Sequence, residues 1–426
     1  MPLAEAAPIV SVSSPARPVR VGLAGLGRVG RALVDLLGRK SAAIGERHAI
    51  RFRVDVALVR DAGRARSAGG VAAVTDDLAR FAAADIDVAV EATTGAEPAA
   101  TLARSFLSRG VPFVTANKAL VAEHGEALEG IAARAGAAFR FEASVAAGIP
   151  LLSVFERSLQ TIAPARVEAI LNGTSNFVLT RIEEGGATLE TALAEARGRG
   201  LAEADSDLDV SGTDAARKLL ILVRAAVRRP VVLSLEVEGI AGVRAADADR
   251  ARRIGHRLKP LACAEIAPSS PGLARGFVAP ALVPEDDPLA SIAGALNGVR
   301  IEGDPVGEVT FAGPGAGPTA TAASIVDDLL AVAAGSPRSA ALLPACGPPG
   351  RAGGSDGIAT RWFLSIDPGA QEPSGGRLAI ERIFRFGDGS RGILARRATR
   401  RDVESVLPPG GIRAYRVAGR DGRTAP

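Results

Sequence analysis

The sequence predicts an α/β protein: a doubly wound parallel-sheet domain, an α+β domain inserted into it, and a small C-terminal accessory segment. Three observations carry that prediction. A glycine-rich turn separates an apolar strand from a helix near the start of the chain. Strand-like and helical runs then alternate at lengths suited to parallel crossovers. The alternation ends near residue 146, and a Pro/Gly/Ser-rich stretch, "GSPRSAALLPACGPPGRAGGSDG", sets off the last segment.

Residues 1–18, "MPLAEAAPIVSVSSPARP", lack a basic start followed by an apolar core and read as a loose tail rather than a signal peptide. Residues 19–24, "VRVGLA", form a buried strand, and "GLGRVG" leads into the helical pattern "RALVDLLGR". Gly25, Gly27 and Gly30 therefore match G-x-G-x-x-G in the strand–turn–helix setting the motif requires. The first glycine makes the turn, the second lets backbone approach a pyrophosphate, and the third lets helix and strand pack closely. This is the fingerprint of a Rossmann dinucleotide-binding domain. Lys40 reads as the end of that helix. The strand "RFRVDVALV" ends at Arg60, where an arginine suits the 2′-phosphate of NADP and an acid suits the ribose of NAD. Asp61 follows directly, so the residues favour NADP and leave NAD open.

"DVAVEAT" then runs into the loop Thr93-Thr94-Gly95, with a helix near Glu97 to Arg109. The strand "VPFVTAN", a helix from about Ala119 and the strand "AAFRFEA" close the domain at residues 19–145. Across 146–312 the strand "VEAIL", the turn and cap "NGTSNFVLT", helices at 188–197 and 214–227, and mixed short elements suggest a substrate domain. "GPGAGPTATAASIVDDLLAVAA" opens a glycine-rich turn and a helix (313–335) that completes the first domain. A linker spans 336–357. Three strand-like runs, "TRWFLSID", "RLAIERIFRFG" and "RGILARR", and a tail make up 358–426.

Composition removes several function classes. The net charge of +4 is small for 426 residues, and one Trp and one Tyr give no stacking platform, so nucleic acid is not an expected partner. No run of about 18 apolar residues could span a bilayer. Cys263 and Cys346 have no metal-site spacing, and a reducing, cytoplasmic setting is expected. Of the 51 Lys and Arg residues only Lys40, Lys118, Lys218 and Lys259 are lysine. Where most surface cations have become arginine, a retained lysine points to a need for a compact ammonium or a transferable proton. That singles out Lys118 and Lys218; Lys259 has no role at this level.

The stretch "GLAEADSDLDVSGTDAARKLLILV", residues 200–223, gathers Glu203, Asp205, Asp207, Asp209 and Asp214 ahead of Lys218. A calcium loop starting at Asp205 would need Gly and Glu where Val210 and Ala216 stand, which excludes it. Two structural readings stay open on the residues alone. Ser211 to Asp214 fits a capping box, and Asp214 with Lys218 fits an i,i+4 surface pair.

Over about residues 19–335 the chain resembles homoserine dehydrogenase. The likeness rests on "GLGRVG", "VTANKALVAEHG", "FEASVAAGIPLL", "LNGTSNFVLT" and "GLAEADSDLDVSGTDAARK" in that order. It implies interconversion of L-homoserine and L-aspartate 4-semialdehyde by hydride transfer to or from NADP or NAD, and a homodimer formed through the second domain. It implies Lys218 as the proton donor, with Asp214 orienting it and Lys118 contacting cofactor and substrate. Glu203 and Asp209 would hold the substrate. Gly25, Leu26, Gly27, Arg28, Val29, Gly30, Thr93 and Gly317 would line the cofactor, with Arg60 at its 2′ end. "FEASVAAGIP" would supply a structural sodium site through Glu142, Val145, Ala147 and Ile149. Two departures stand out. Ser206 replaces a usual proline, and "SIDPGAQEPSGGRLAIERI" keeps Asp367, Pro368 and Gly369 of a regulatory ACT domain without its following helix pattern. The C-terminal segment thus reads as a degenerate ACT-like unit. The alternative reading is a non-catalytic nucleotide-binding regulator on the same scaffold.

Overall fold

The computed structural model describes residues 18–63, 69–202, 206–267, 272–335, 357–373, 378–408 and 410–419. The N-terminal tail, the linker 336–356, Glu203 and Asp205 lie outside them. In the first domain the elements are β1 (Pro18–Ala24), α1 (Arg28–His48), β2 (Arg51–Leu58), β3 (Val71–Thr75), α2 (Leu78–Ala82), β4 (Val88–Glu91), α3 (Ala99–Ser108), β5 (Phe113–Thr115), α4 (Lys118–Ala135) and β6 (Phe139–Arg140). All pair in parallel, in the order β3-β2-β1-β4-β5-β6. The chain reverses its winding between β1 and β4, and the crevice beyond the carboxyl ends of those strands is where such sheets bind ligands. Val21, Leu23, Val88 and Val90 are fully buried, which explains why these strands read as continuous apolar runs.

Three details differ from the sequence reading. Helix α1 runs on to His48, so Lys40 lies within it rather than at its end. The last strand is only Phe139–Arg140, because Glu142–Ser144 coils into a 3₁₀ turn. Strand β3 had no apolar signal strong enough to mark it: only Thr75 of its five residues is buried.

The second domain contains α5 (Leu151–Arg157), β7 (Ala163–Ile170), α6 (Gly173–Gly185), α7 (Leu189–Gly198), α8 (Asp207–Val210), α9 (Thr213–Val227), β8 (Val232–Val237), α10 (Ala245–Arg253), β9 (His256–Ile266), β10 (Leu273–Pro284), β11 (Leu296–Asp304) and β12 (Gly307–Pro314). Where short mixed elements were expected, β9 and β10 form a long antiparallel pair from Ala274–Ile266 to Pro284–His256. Helix α11 (Pro318–Ala333) then returns to the first sheet, where Ala322, Ile325 and Leu329 join Leu33 and Leu37 of α1 in one apolar cluster. Helix α9 packs Leu219, Leu220 and Val223 into the cluster that holds Leu120 and Val121 of α4 and Val167 and Ala262 of the second sheet. That shared cluster brings the two domains' catalytic candidates to one place.

The C-terminal segment adds β13 (Thr360–Ile366), β14 (Ile380–Arg385), β15 (Arg391–Ala398), α12 (Arg400–Glu404) and β16 (Ile412–Val417). It holds four strands where the sequence marked three, since β16 falls in the stretch read as a tail. They run β16-β13-β15-β14, fourth-first-third-second, and extend the second sheet to ten strands. The join is parallel and short, with Ala281 opposite Arg416 and Leu282 opposite Val417. Strand β8 occupies the same edge of β10 from Leu273 to Val278. Side chains reinforce the join. The buried carboxylate of Asp247 on α10 accepts from Tyr415 Oη (2.9 Å) and Ser365 Oγ (2.6 Å), and Arg416 lies between the rings of Phe277 and Trp362.

Candidate active site

The glycine turn is shaped by what a side chain would strike. Gly25 has φ 98°, and a Cβ there would lie 2.7 Å from Ala92 O. A Cβ on Gly30 would run into the carbonyl of Gly25, whereas Gly27 faces open space. Leu26 is buried; Arg28 is exposed and Val29 half-buried at the start of α1, whose first turn carries no acid. The exposed N-terminal N–H groups and the helix dipole suit an anion there. The Gly25 N–H donates to Leu58 O at 2.9 Å, so the end of β2, and the exposed Arg60 two residues on, sit beside the turn.

At the end of β4, Thr93 gives both its N–H (2.6 Å) and its hydroxyl (2.5 Å) to Glu91 Oε1, while Thr115 donates to the other oxygen at 2.5 Å. Glu91 is fully buried, a conformational anchor for the loops after β4 and β5 that the sequence did not flag. Burial pushes its carboxyl up despite those hydrogen bonds. Gly317, with φ 117°, caps α11 and opens to free space.

Four elements bring the charged groups together. Lys118 is the first residue of α4, whose Asn117 cap accepts from Leu120 N at 3.1 Å. Lys218 lies on α9 one turn after Asp214 and is 8 % exposed. Asp214, 2 % exposed, bridges the two: its Oδ1 takes Lys118 Nζ, and its Oδ2 lies 2.9 Å from Lys218 Nζ. Burial alone would raise the Asp214 carboxyl, but the ammonium groups of Lys218 and Lys118 outweigh it and hold it well below the usual carboxylate range. Neither bland reading of this stretch survives. Helix α9 begins after Gly212 in a left-handed conformation with no side-chain cap, and the Asp214–Lys218 pair is buried rather than on the surface.

Asn172, which the sequence marked only as turn and cap, does both jobs. Its Oδ1 caps α6 through Ser175 N (2.7 Å), and its Nδ2 donates to Asp209 Oδ1 (2.7 Å) and Asp214 Oδ2 (2.9 Å). Burial raises the Asp209 carboxyl; Asn172 opposes that and the Asp214 charge adds to it. Lys218 Nζ also donates to the Leu171 carbonyl at 2.9 Å. Glu203 falls outside the described residues, three positions before the buried Ser206.

The loop proposed for a cation folds between α11 and α5. Both carboxylate oxygens of Glu142 accept backbone N–H groups at the start of α5, from Leu152 (2.9 Å) and Ser153 (2.7 Å). The oxygens this loop could offer an ion are its main-chain carbonyls and the remaining lone pairs of that carboxylate. Val145, Ala147 and Ile149 are buried, and Ala146 (φ 47°) and Gly148 (φ 94°) turn the chain between them. Among the described residues no group of three or more His, Cys, Asp or Glu could hold a metal.

The arrangement offers an anion-binding glycine turn and, where the two domains meet, an ammonium group from each sharing one buried carboxylate. Residues 150–330 match the family model described as homoserine dehydrogenase, and residues 25–142 match the one described as its NAD-binding domain. The homoserine dehydrogenase of Pseudomonas aeruginosa is 36 % identical over 320 residues, 74 % of this chain and 72 % of that protein. That of Bacillus subtilis is 35 % identical over 325 residues, 74 % and 73 %. Among solved structures, the homoserine dehydrogenase of Thiobacillus denitrificans covers 94 % of this chain and 98 % of its own at 29 % identity, with a TM-score of 0.81. A hyperthermophilic archaeal homoserine dehydrogenase solved with NADPH covers 76 % and 99 % at 26 % identity, with a TM-score of 0.63.

Proposed function

The chain belongs to the homoserine dehydrogenase family, and from that premise we propose how its residues divide the work. The reaction is the NAD(P)-dependent interconversion of L-aspartate 4-semialdehyde and L-homoserine. When bound, the nicotinamide gives or takes the hydride. The glycine turn of Gly25, Leu26, Gly27, Arg28, Val29 and Gly30, with Thr93 and Gly317, holds the cofactor. Thr93 gives both its N–H and its hydroxyl to Glu91, which leaves its main-chain carbonyl to face the ligand. Arg60 favours NADP over NAD by offering a guanidinium to the 2′-phosphate.

Reduction leaves negative charge on the former aldehyde oxygen, so a positioned proton donor lowers the barrier. Lys218 is that donor. Two of its N–H bonds are engaged by Asp214 and Leu171 O, which fixes the direction of the third. In the oxidation direction the neutral amine takes the homoserine hydroxyl proton. Lys118 adds a second cation beside the developing charge, and Asp214 holds both ammoniums in place. Asp209, with Glu203, takes the substrate ammonium. The observation that carries this division is Asp214 buried between two lysines from different domains.

Further assignments complete the reading. Carbonyls of the 142–149 loop provide a structural sodium site, and the second domain forms a homodimer. Strand order fourth-first-third-second with a single short helix fits a reduced ACT-like unit in residues 358–426. The enzyme acts in the cytoplasm, in the synthesis of threonine, methionine and isoleucine.

The test is oxidation of L-homoserine by the purified protein, with NADP and then NAD, beside the Lys218→Ala variant. Turnover should fall about 10²–10⁴-fold in the variant, and the wild type should prefer NADP. A folded wild-type protein inert with both cofactors would return the non-catalytic reading.

A further inference from the structure

We propose that Asn297 is a positioning residue for Lys218, acting through the Leu171 carbonyl that both side chains grip. The inference rests on Lys218 being the proton donor. Asn297 lies in β11 and is fully buried. Its Nδ2 donates to Leu171 O at 3.1 Å, and Lys218 Nζ donates to the same oxygen at 2.9 Å. A peptide carbonyl offers two lone pairs, so the two donors can be accepted together. The Leu171–Asn172 peptide therefore sets two things at once: the acceptor of Lys218, and the Asn172 amide that holds Asp209 and Asp214. A carbonyl tied only to a mobile ammonium could swing with it. One tied also to Asn297 gives that ammonium a fixed reference.

Asn297 is itself held on two sides. The segment before it is pinned where Ile292 O accepts from Lys259 Nζ (2.8 Å) and Asn176 Nδ2 (3.2 Å), and Asn176 also donates to Leu296 O (3.1 Å). This places the fourth lysine, which the sequence left without a role: Lys259 is a buried clamp on the loop leading into β11. On the other side a Cβ at Gly315 would run into the Asn297 amide, so the glycine-rich turn before α11 closes over it.

Stability gives little reason for an asparagine here. Its Oδ1 is buried without a hydrogen-bond partner among the described residues. Leaving a buried acceptor unmet costs at least what one neutral hydrogen bond contributes, and an apolar residue of similar volume would avoid that cost. The amide is explained by what its N–H does to Leu171 O.

A double-mutant cycle on the full-length protein tests this, using Asn297→Leu, Lys218→Ala and the pair. The readouts are kcat for homoserine oxidation, NADPH binding by fluorescence, and Tm. Asn297→Leu should lower kcat about 10–100-fold, the scale of a misplaced catalytic group, with NADPH affinity and Tm near wild type. In the Lys218→Ala background the same change should alter kcat by no more than about twofold, because residues acting as a unit are non-additive. A loss that multiplies in full in that background overturns the inference, as does an Asn297→Leu enzyme of wild-type kcat. If the leucine variant does not fold, Asn297→Ala enters the same cycle; loss of folding in both marks a structural residue and also overturns it. Should Lys218→Ala keep wild-type turnover, the proton-donor reading fails first. A collapsed Lys218→Ala with an additive cycle removes Asn297 alone.

Discussion

The two walls of the proposed active crevice are made of different material. On the first-sheet side the wall is backbone: three glycines whose missing Cβ atoms leave room, and the bare N–H groups of a helix start. The other wall is side chains: Lys118 at the start of α4 in the first domain, and Lys218, Asp214, Asn172 and Asp209 from α9, the cap of α6 and α8 in the second. The first is ruined by volume. The second tolerates little change of charge, since two ammoniums share one buried carboxylate. Binding and chemistry thus fail in separable ways.

The sharpest way to break this contrast is Asp214→Asn, which keeps volume and removes charge. Turnover should drop about 10²–10³-fold as the lysines lose their shared counterion, while NADPH affinity changes only a few-fold. Single-turnover kinetics and a fluorescence titration separate the two, and an equal loss in both would erase the distinction. The opposite probe is Gly30→Ala. Its methyl group meets the Gly25 carbonyl, so stability should fall about 1–3 kcal/mol, the usual cost of overpacking, with cofactor affinity reduced. Turnover at saturating cofactor should persist, as urea melts and kinetics would show.

A third probe uses acid. The folded-state pKa of Asp214 is depressed, so its stabilising contribution is present above the unfolded value of about 3.9 and is lost as pH falls through the folded one. Between about pH 4 and the acid limit the wild type should therefore lose stability more steeply than Asp214→Asn. Parallel slopes in urea melts across that window would mean that the carboxylate is not held down by the lysines.

Legibility in the sequence followed the same divide. The backbone wall was readable because glycine spacing is a direct record of where Cβ atoms cannot go, and the parallel order follows from the alternation. Lys118, Lys218 and Asp214 were readable as residue types, but their meeting depends on α4 and α9 sharing a core. Asn172 and Asn297 were not flagged, because a turn asparagine and a buried amide look alike before folding. The long β9–β10 pair was obscured by Pro260 and Pro280, which argue against a central strand. In the structure those prolines face each other, and neither needs a donor on its other side. Strand β7 pairs with β9 only from Ala262 onward. On β10, Pro280 falls in the gap between β8, which stops at Val278, and β16, which begins opposite Ala281.

That gap on β10 also bears on how the molecule comes to be assembled. Strand β16 is the last described strand to be synthesised, yet its seat is in mid-sheet between β10 and β13. The sheet cannot grow as successive hairpins. The distal part of β10 has to wait, open on one edge, while β11 to β15 are made, and such edges invite wrong pairing. Only two residue pairs of main chain form the seam itself. The Asp247 and Arg416 contacts add side-chain recognition there.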